Sequence, residues 1–280
     1  ALARPSIGLI TNAGEAHLEG FGGIEGVVRG KGEMYAGVQD GGTCIINADQ
    51  PWQDEWRERA GSRRVITFGQ AGAHDFHVVG GIDEADGQLR FSMVTPDGEV
   101  QVALPMAGRH NVKNALAAAA AAWSCGCSLA EIQAGLAVAR NVSGRMHVEQ
   151  LADDIELVDD TYNANPLSMR AAAEWLAGRG RPGWLVMGDM GELGPEEQQL
   201  HEDVGRFAAE QGVTRFYAVG ELSKHAAKGF GADARHFDSV EALIEALTAD
   251  IKTGITVLVK GSRAARMERV VAALRLGGTA

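Results

Sequence analysis

No stretch of this sequence approaches the roughly 18 apolar residues that a membrane-spanning helix needs. The alanine-rich run Ala115–Trp123 is too short and follows the polar His110-Asn-Val-Lys113, so no membrane insertion is expected. A charged-then-apolar leader is also missing, because Arg4-Pro5 interrupts the start. The chain opens on Ala1 rather than Met and enters strand-like sequence almost at once, so it is expected to begin inside a domain. Positive charge is in deficit: 26 Lys and Arg against 37 Asp and Glu leave a net charge of −11. That argues against a broad nucleic-acid or anionic-membrane surface. It leaves room for a phosphate ligand, which needs only local cations or backbone N–H groups. Cysteine is scarce. Cys44, Cys125 and Cys127 cannot all pair, and their spacing fits no zinc pattern. Buried thiols in a reducing cytoplasm are the expectation.

What remains is an ordinary folding composition. Hydrophobic residues make up 45% and charged residues 22%, with no long charge run, which excludes bulk disorder. A length of 280 residues suits one large or two ordinary domains.

The second half alternates buried runs with helical stripes. Ile155–Val158, Trp184–Met187, Phe216–Val219 and Ile255–Val259 read as strands. Between and after them, Leu200, Val204, Phe207 and Ala208 recur at helical spacing. So do Val240, Leu243, Ile244, Leu247 and Ile251, with Ser239 placed as a cap, and Met267, Val270, Val271 and Leu274. Such alternation predicts a parallel sheet with helices on both faces. In the first half, Gly8–Asn12 and Thr43–Asn47 read as strands and Ile24–Gly37 as a helix. Phe76–Ala103 reads as an antiparallel patch turning at Pro96-Asp-Gly, and Asn111–Trp123 and Leu129–Val138 as helices. Met34, Met106 and Met187 are assigned to the core. The loop Ala139–Gly144 is the expected domain boundary.

The predicted carboxyl ends of the later strands read Asp159-Asp160, Gly188-Asp189, Gly220-Glu221 and Lys260-Gly261-Ser262. Open α/β sheets bind ligands at that edge. Any one of these alone is a turn or helix cap; four together point to a site.

Several segments, in order along essentially the whole chain, resemble the Mur ligase family. They are Thr11-Asn-Ala-Gly-Glu-Ala-His17-Leu-Glu-Gly-Phe-Gly with Gly30-Lys31-Gly-Glu33; Gly108-Arg-His-Asn-Val-Lys-Asn114-Ala; Gly144-Arg145 ahead of Asp159-Asp160-Thr-Tyr162-Asn163-Ala-Asn165-Pro166; Gly188-Asp189-Met-Gly-Glu192-Leu-Gly194; and Lys260-Gly261-Ser262-Arg263 with Met267-Glu268. The wording of the third and fourth resembles the member that adds D-alanyl-D-alanine to UDP-MurNAc-tripeptide. No Asp-Asn-Pro-Arg string of the diaminopimelate-adding relative is present.

The resemblance implies an α/β fold. Residues 1–144 would be the remainder of a central ATPase domain. Residues 145–280 would be a Rossmann-like C-terminal domain with a mainly parallel sheet. It implies an ATP- and Mg²⁺-dependent, ADP-forming amide-bond ligase of the cytoplasm, monomeric, whose substrates are UDP-MurNAc-tripeptide and D-alanyl-D-alanine. By position in the motifs, His17 matches a metal ligand, and Lys31 matches the lysine that the family carbamylates into an oxygen donor. Asn114 matches the asparagine that contacts the adenine nucleotide. Arg145 and Asp160 match the nucleotide- and phosphate-facing pair. Tyr162, Asn163, Asn165, Asp189, Lys260, Ser262 and Arg263 are candidates for the substrate side, with His201 held more loosely. One departure matters: the sequence contains no Gly-x-x-Gly-Lys-Thr/Ser phosphate loop, so the β- and γ-phosphates lack their main anchor. The chain by itself is therefore expected to be inactive. The competing readings are another amide ligase of the superfamily, such as a murein-peptide ligase or a folylpolyglutamate synthetase-like enzyme, or a non-catalytic Rossmann-like binding module.

Overall fold

Uninterrupted apolar runs become central strands in both halves of the chain, as burial on two faces requires. The computed structural model describes residues 3–14, 18–85, 87–140 and 142–277. The chain folds as two compact units, one formed by Ala1–Gly14 with Phe21–Arg140, the other by Glu15–Gly20 with Asn141–Ala280.

The short helix α1 (Leu18–Phe21) belongs, except for Phe21, to the second unit. In the first unit the elements run β1 (Ile7–Ile10), α2 (Ile24–Gly37), β2 (Thr43–Asn47), α3 (Gln53–Ala60), β3 (Arg64–Gly69), β4 (Phe76–Ala85), β5 (Gln88–Thr95), β6 (Gly98–Leu104), α4 (His110–Ser124) and α5 (Leu129–Ala137). They form one six-stranded sheet in the order β1-β2-β3-β4-β5-β6. The joins β1/β2, β2/β3 and β3/β4 are parallel; β4/β5 and β5/β6 are antiparallel. Along β5, Leu89, Phe91 and Met93 are buried while Arg90 is exposed, the two-residue period of a strand with one covered face. That face packs on α4 through Leu116 and its alanines, together with Ile45, Phe68 and Phe76. The β5–β6 turn is closed by Thr95, whose hydroxyl donates to the Gly98 carbonyl at 2.9 Å. Ser128 and Glu131 make a capping box that starts α5.

The second unit runs β7 (His147–Gln150), β8 (Glu156–Asp160), α6 (Pro166–Ala177), β9 (Gly183–Gly188), α7 (Glu197–Glu210), β10 (Arg215–Val219), α8 (Ser223–Phe230), β11 (Ala234–Phe237), α9 (Val240–Asp250), β12 (Thr256–Lys260) and α10 (Glu268–Gly277). Its sheet order is β11-β10-β9-β12-β8-β7. Every join is parallel except β7/β8. Every residue of β8, β9 and β12 is buried. One face carries Met169, Leu176, Val204 and Ala208 from α6 and α7. The other carries Leu243, Leu247, Val270 and Leu274 from α9 and α10. This is a doubly wound α/β unit with one antiparallel edge strand, and Ser239 caps α9 by accepting the Ala242 amide.

Some expectations are corrected. Strand β1 stops at Ile10 rather than Asn12, because the Thr11 and Asn12 carbonyls accept side-chain donors from elsewhere in the unit. Cys125 is exposed and Cys127 half-buried, and only Cys44 is buried. The first two flank Gly126 in the turn that ends α4, where the helix leaves the core. Met34 is 37% exposed, since α2 buries the face of Val27, Val28 and Tyr35 instead.

Candidate functional site

Each unit gathers its motif residues at the carboxyl edge of its parallel strands. In the first unit the segment after β1 is held open by side chains rather than by strand pairing. Tyr35, on the buried face of α2, puts its hydroxyl between two strand ends: it donates to the Ile45 carbonyl at 2.6 Å and accepts the Ile10 amide at 3.2 Å. One turn earlier on the same helix, Lys31 donates from Nζ to the Asn12 carbonyl at 2.9 Å. Burial pushes the Lys31 ammonium below the ordinary lysine range. The i, i+4 spacing of Lys31 and Tyr35 therefore places an amine at the mouth of the edge. On α4, Asn111 donates to the Ala107 carbonyl at 2.7 Å and accepts the Asn114 amide at 3.0 Å. Asn111 thus braces the turn before the helix instead of capping it. Asn114 is exposed and keeps its carbonyl oxygen and a second amide hydrogen for a ligand edge.

In the second unit, Asp160 and Lys260 end adjacent strands and are register partners. Lys260 Nζ stands 2.6 Å from Asp160 Oδ2 and donates to the Asn163 carbonyl at 2.9 Å. The lysine side chain is 4% exposed. The other Asp160 oxygen accepts the Met146 amide at 3.1 Å. Gly144, at φ 75°, accepts the Tyr162 amide at 2.9 Å, and a Cβ there would stand 3.0 Å from that nitrogen. These contacts dock the Gly144-Arg145-Met146 turn on Asp160-Thr-Tyr162. The result is an exposed guanidinium lying on an exposed ring, with Arg145 Cζ 4.2 Å from the Tyr162 ring centre.

The remaining candidates have structural partners. Asn165 caps α6 in a capping box with Ser168, ahead of Pro166. Asn163 accepts the Ala164 amide at 2.9 Å and is otherwise exposed. Asp189 Oδ1 accepts the Leu222 and Ser223 amides at 3.2 and 2.7 Å, fixing the start of α8, and its carbonyl accepts the Ser262 amide at 2.9 Å. Gly220 permits this: it has φ 121°, and a Cβ there would meet the Asp189 carboxylate at 2.3 Å. Ser262 is buried; Arg263 is exposed and stands 3.6 Å from Glu268. His201 is fully buried. Its Nε2 accepts the Met190 amide at 3.0 Å and its Nδ1 donates to the Glu197 carbonyl at 2.6 Å, so it is a neutral brace of the Gly-Asp-Met-Gly loop. Lys260 and Asp189 likewise hold the edge in place.

His17 lies outside the described residues. Among the described residues no three His, Cys, Asp or Glu side chains converge as a metal cage, and they do not by themselves make a Mg²⁺ site.

Sequence reasoning passed over the cluster after β2. Asn47, Asp49 and Gln50 bind the neighbouring loops, and Lys113 stands 3.1 Å from Asp49. The signal was the cluster of polar residues Asn47, Asp49 and Gln50 directly after the apolar Cys44-Ile-Ile46 of β2.

Residues 1–122 match the family described as Mur ligase middle domain, and residues 144–263 match that described as Mur ligase, glutamate ligase domain. The chain is 44% identical, over its whole length, to the UDP-N-acetylmuramoyl-tripeptide–D-alanyl-D-alanine ligase of Escherichia coli K12, of which it covers 62%. It is 35% identical over 98% of its length to the ligase of the same name from Haemophilus influenzae, of which it covers 60%. Among solved structures it is similar to MurF from Acinetobacter baumannii, with a TM-score of 0.89, 37% identity, and coverage of 98% of this chain and 60% of that one. It also shares the fold of MurF from Thermotoga maritima, solved in complex with ADP, at a TM-score of 0.86 and 24% identity. The chain thus spans about 60% of the length of the relatives it matches. The two matches together cover most of the chain, and the chain belongs to the Mur ligase family.

Proposed function

We propose that this chain is the nucleotide- and amine-handling part of an ATP-dependent, ADP-forming ligase that joins D-alanyl-D-alanine to UDP-MurNAc-tripeptide. The names of the E. coli and H. influenzae relatives support the substrate pair, and the ADP bound to the T. maritima protein supports the nucleotide. The observation that carries the reading is the Arg145–Tyr162 stack, docked on Asp160 at the carboxyl edge.

In the proposed reaction the γ-phosphoryl group of ATP passes to the peptide carboxylate, giving an acyl phosphate and ADP. The neutral amine of the dipeptide then attacks the acyl carbon, the bond from that carbon to the phosphate oxygen breaks with its electron pair going to phosphate, and the nitrogen gives up a proton, which leaves with the phosphate, as the amide forms. Phosphoryl transfer to a carboxylate brings anionic oxygens together, so fixed positive charge must be in place beforehand. Arg145 supplies it as a planar fork already held flat, which loses little freedom when phosphate arrives. Asn114 offers one donor and one acceptor to the nucleotide. Burial lowers the Lys31 pKa, which favours the neutral amine that carbamate formation with CO₂ requires. Asp160, locked by Lys260 and Met146, positions the Arg145 turn. Ser262 and the exposed Arg263 lie on the loop assigned to the dipeptide, and Tyr162, Asn163 and Asn165 shape the loop beside it.

The test joins this chain to the amino-terminal part that its relatives carry and measures ADP formation with a panel of amines: D-alanyl-D-alanine, diaminopimelate, L-alanine and glutamate. Turnover with the dipeptide alone is expected. Turnover only with another amine would move the chain to a different ligase of the superfamily. The 280 residues assayed alone should show no ATPase activity; a rate ordinary for enzymes, about 1 s⁻¹ or more, would overturn the reading of the missing phosphate loop.

A further inference from the structure

Asp49 belongs to none of the motifs that carry the resemblance, yet the segment past β3 and helix α4 both converge on it. Its Oδ2 accepts the Gln70 amide at 2.9 Å and its Oδ1 the Ala71 amide at 3.0 Å, both just past β3. Lys113 of α4 brings Nζ to 3.1 Å from Oδ2. Gly69 makes the room: a Cβ there would stand 2.7 Å from Oδ1. The carboxylate side chain is 8% exposed. Burial alone would raise its pKa, but the two amides and the ammonium outweigh burial and hold it below the ordinary aspartate value.

The same loop is tied to the segment after β1. Asn47 donates to the Thr11 carbonyl at 2.6 Å and accepts the Asp49 amide at 3.0 Å, and Gln50 accepts the Ala13 amide at 3.0 Å. Asn12, between those two anchors, holds Lys31. On the other side, Lys113 directly precedes Asn114. A continuous set of contacts therefore runs from Asn114 through Lys113, Asp49 and Asn47 to Lys31, and the ion pair is the step that joins it to α4.

We propose that Asp49 and Lys113 are positioning residues that fix the spacing between Asn114 and Lys31, and so set where the base end of the nucleotide lies relative to the Lys31 amine. This inference rests on the assignment of Asn114 to the nucleotide. Neither residue needs to touch the ligand. A buried carboxylate bonded to two backbone amides is a rigid post, and Lys113 is the tether by which α4 is referred to it.

The experiment uses the ligase made by joining this chain to the amino-terminal part of its relatives, and compares Lys113→Met, Lys113→Arg, Asp49→Asn and Asn114→Ala. Lys113→Met and Asp49→Asn should raise KM for ATP about tenfold, with kcat and KM for the dipeptide within about twofold. Lys113→Arg should restore KM for ATP. Lys113 is 40% exposed, so Lys113→Met decides the matter even if Asp49→Asn fails to fold. A lowered melting temperature with unchanged KM for ATP in Lys113→Met would make the pair a mere fold stabiliser and overturn the inference. Asn114→Ala separates the two layers. If it raises KM for ATP while Lys113→Met does not, only the positioning role is lost; if it leaves KM unchanged, the nucleotide assignment falls and this inference with it.

Discussion

Lys260 and Asp160 lie one hundred residues apart in sequence and end two neighbouring parallel strands side by side, with 2.6 Å between Nζ and Oδ2. The pair joins the last strand of the second unit to the loop that presents Arg145 and Tyr162. A buried pair of this kind is costly to break by halves, because the surviving charge keeps its burial and loses its partner.

Lys260→Met should therefore lower the stability of the chain by about 3–5 kcal/mol in urea denaturation. Lys260→Met with Asp160→Asn should recover at least half of that loss, since the lone charge is gone. Equal loss in the single and double variants would mean that the charges contribute nothing beyond packing.

The neutral state of His201 gives stability a pH dependence of known sign. Burial lowers the imidazole below its ordinary 6.5, more than the Glu197 carbonyl and nearby carboxylates raise it. As pH falls through about 6.5, the unfolded chain takes up this proton before the folded one does. Unfolding then binds a proton, and stability falls with falling pH by at most about 1.4 kcal/mol per unit from this group. The contribution is complete above the unfolded value and is lost below it. His201→Gln should show a shallower slope of the urea midpoint between about pH 7 and pH 5 than the parent; identical slopes would contradict the assignment.

Gly220→Ala should cost about 2–4 kcal/mol, because the added methyl meets the Asp189 carboxylate at a φ of 121° and dislodges the cap of α8. Gly212→Ala is the matched control. Its φ is 92°, but nothing lies within 4 Å of the added carbon, so it should lose only the backbone component. Similar losses at the two positions would show that the Asp189 contact is unimportant.

In the joined ligase, Lys31→Ala should reduce turnover by about 100-fold or more. Formate or acetate should restore part of it by standing in for carbamate oxygens. Near-normal turnover without additive would leave Lys31 as a brace of the Asn12 carbonyl only.

The strands with unbroken apolar runs were legible because burial on both faces leaves few alternatives: Trp184–Met187 and Phe216–Val219 fall inside the observed β9 and β10. Thr43–Asn47 matches β2, and the helix read over Ile24–Gly37 matches α2. Elements carried by mixed sequence were not. Strand β3 begins at exposed Arg64, α3 buries only Trp56 and Ala60, and β11 buries none of its four residues completely. For these, neighbours distant in sequence decide the structure. The site shows the same division. Motif wording located the residues, but not which of them face a ligand. Lys260, Asp189 and His201 look like ligand groups on paper, and each is taken up by a partner that only the fold supplies. Asp49 looks like a turn residue and turns out to be the anchor of a network.

Strand β1 has consequences for handling the protein. Among the described residues it is paired on one side only, by β2. Its Ile7 and Leu9 are only partly buried. An unpaired parallel edge of this kind is a template on which a further strand can add, from the same polypeptide or from another copy. Arg4 and Pro5, immediately before it, are the charged and imide residues that keep such an edge from growing. Replacing Arg4 and Pro5 with apolar residues should therefore increase self-association of the chain at high concentration.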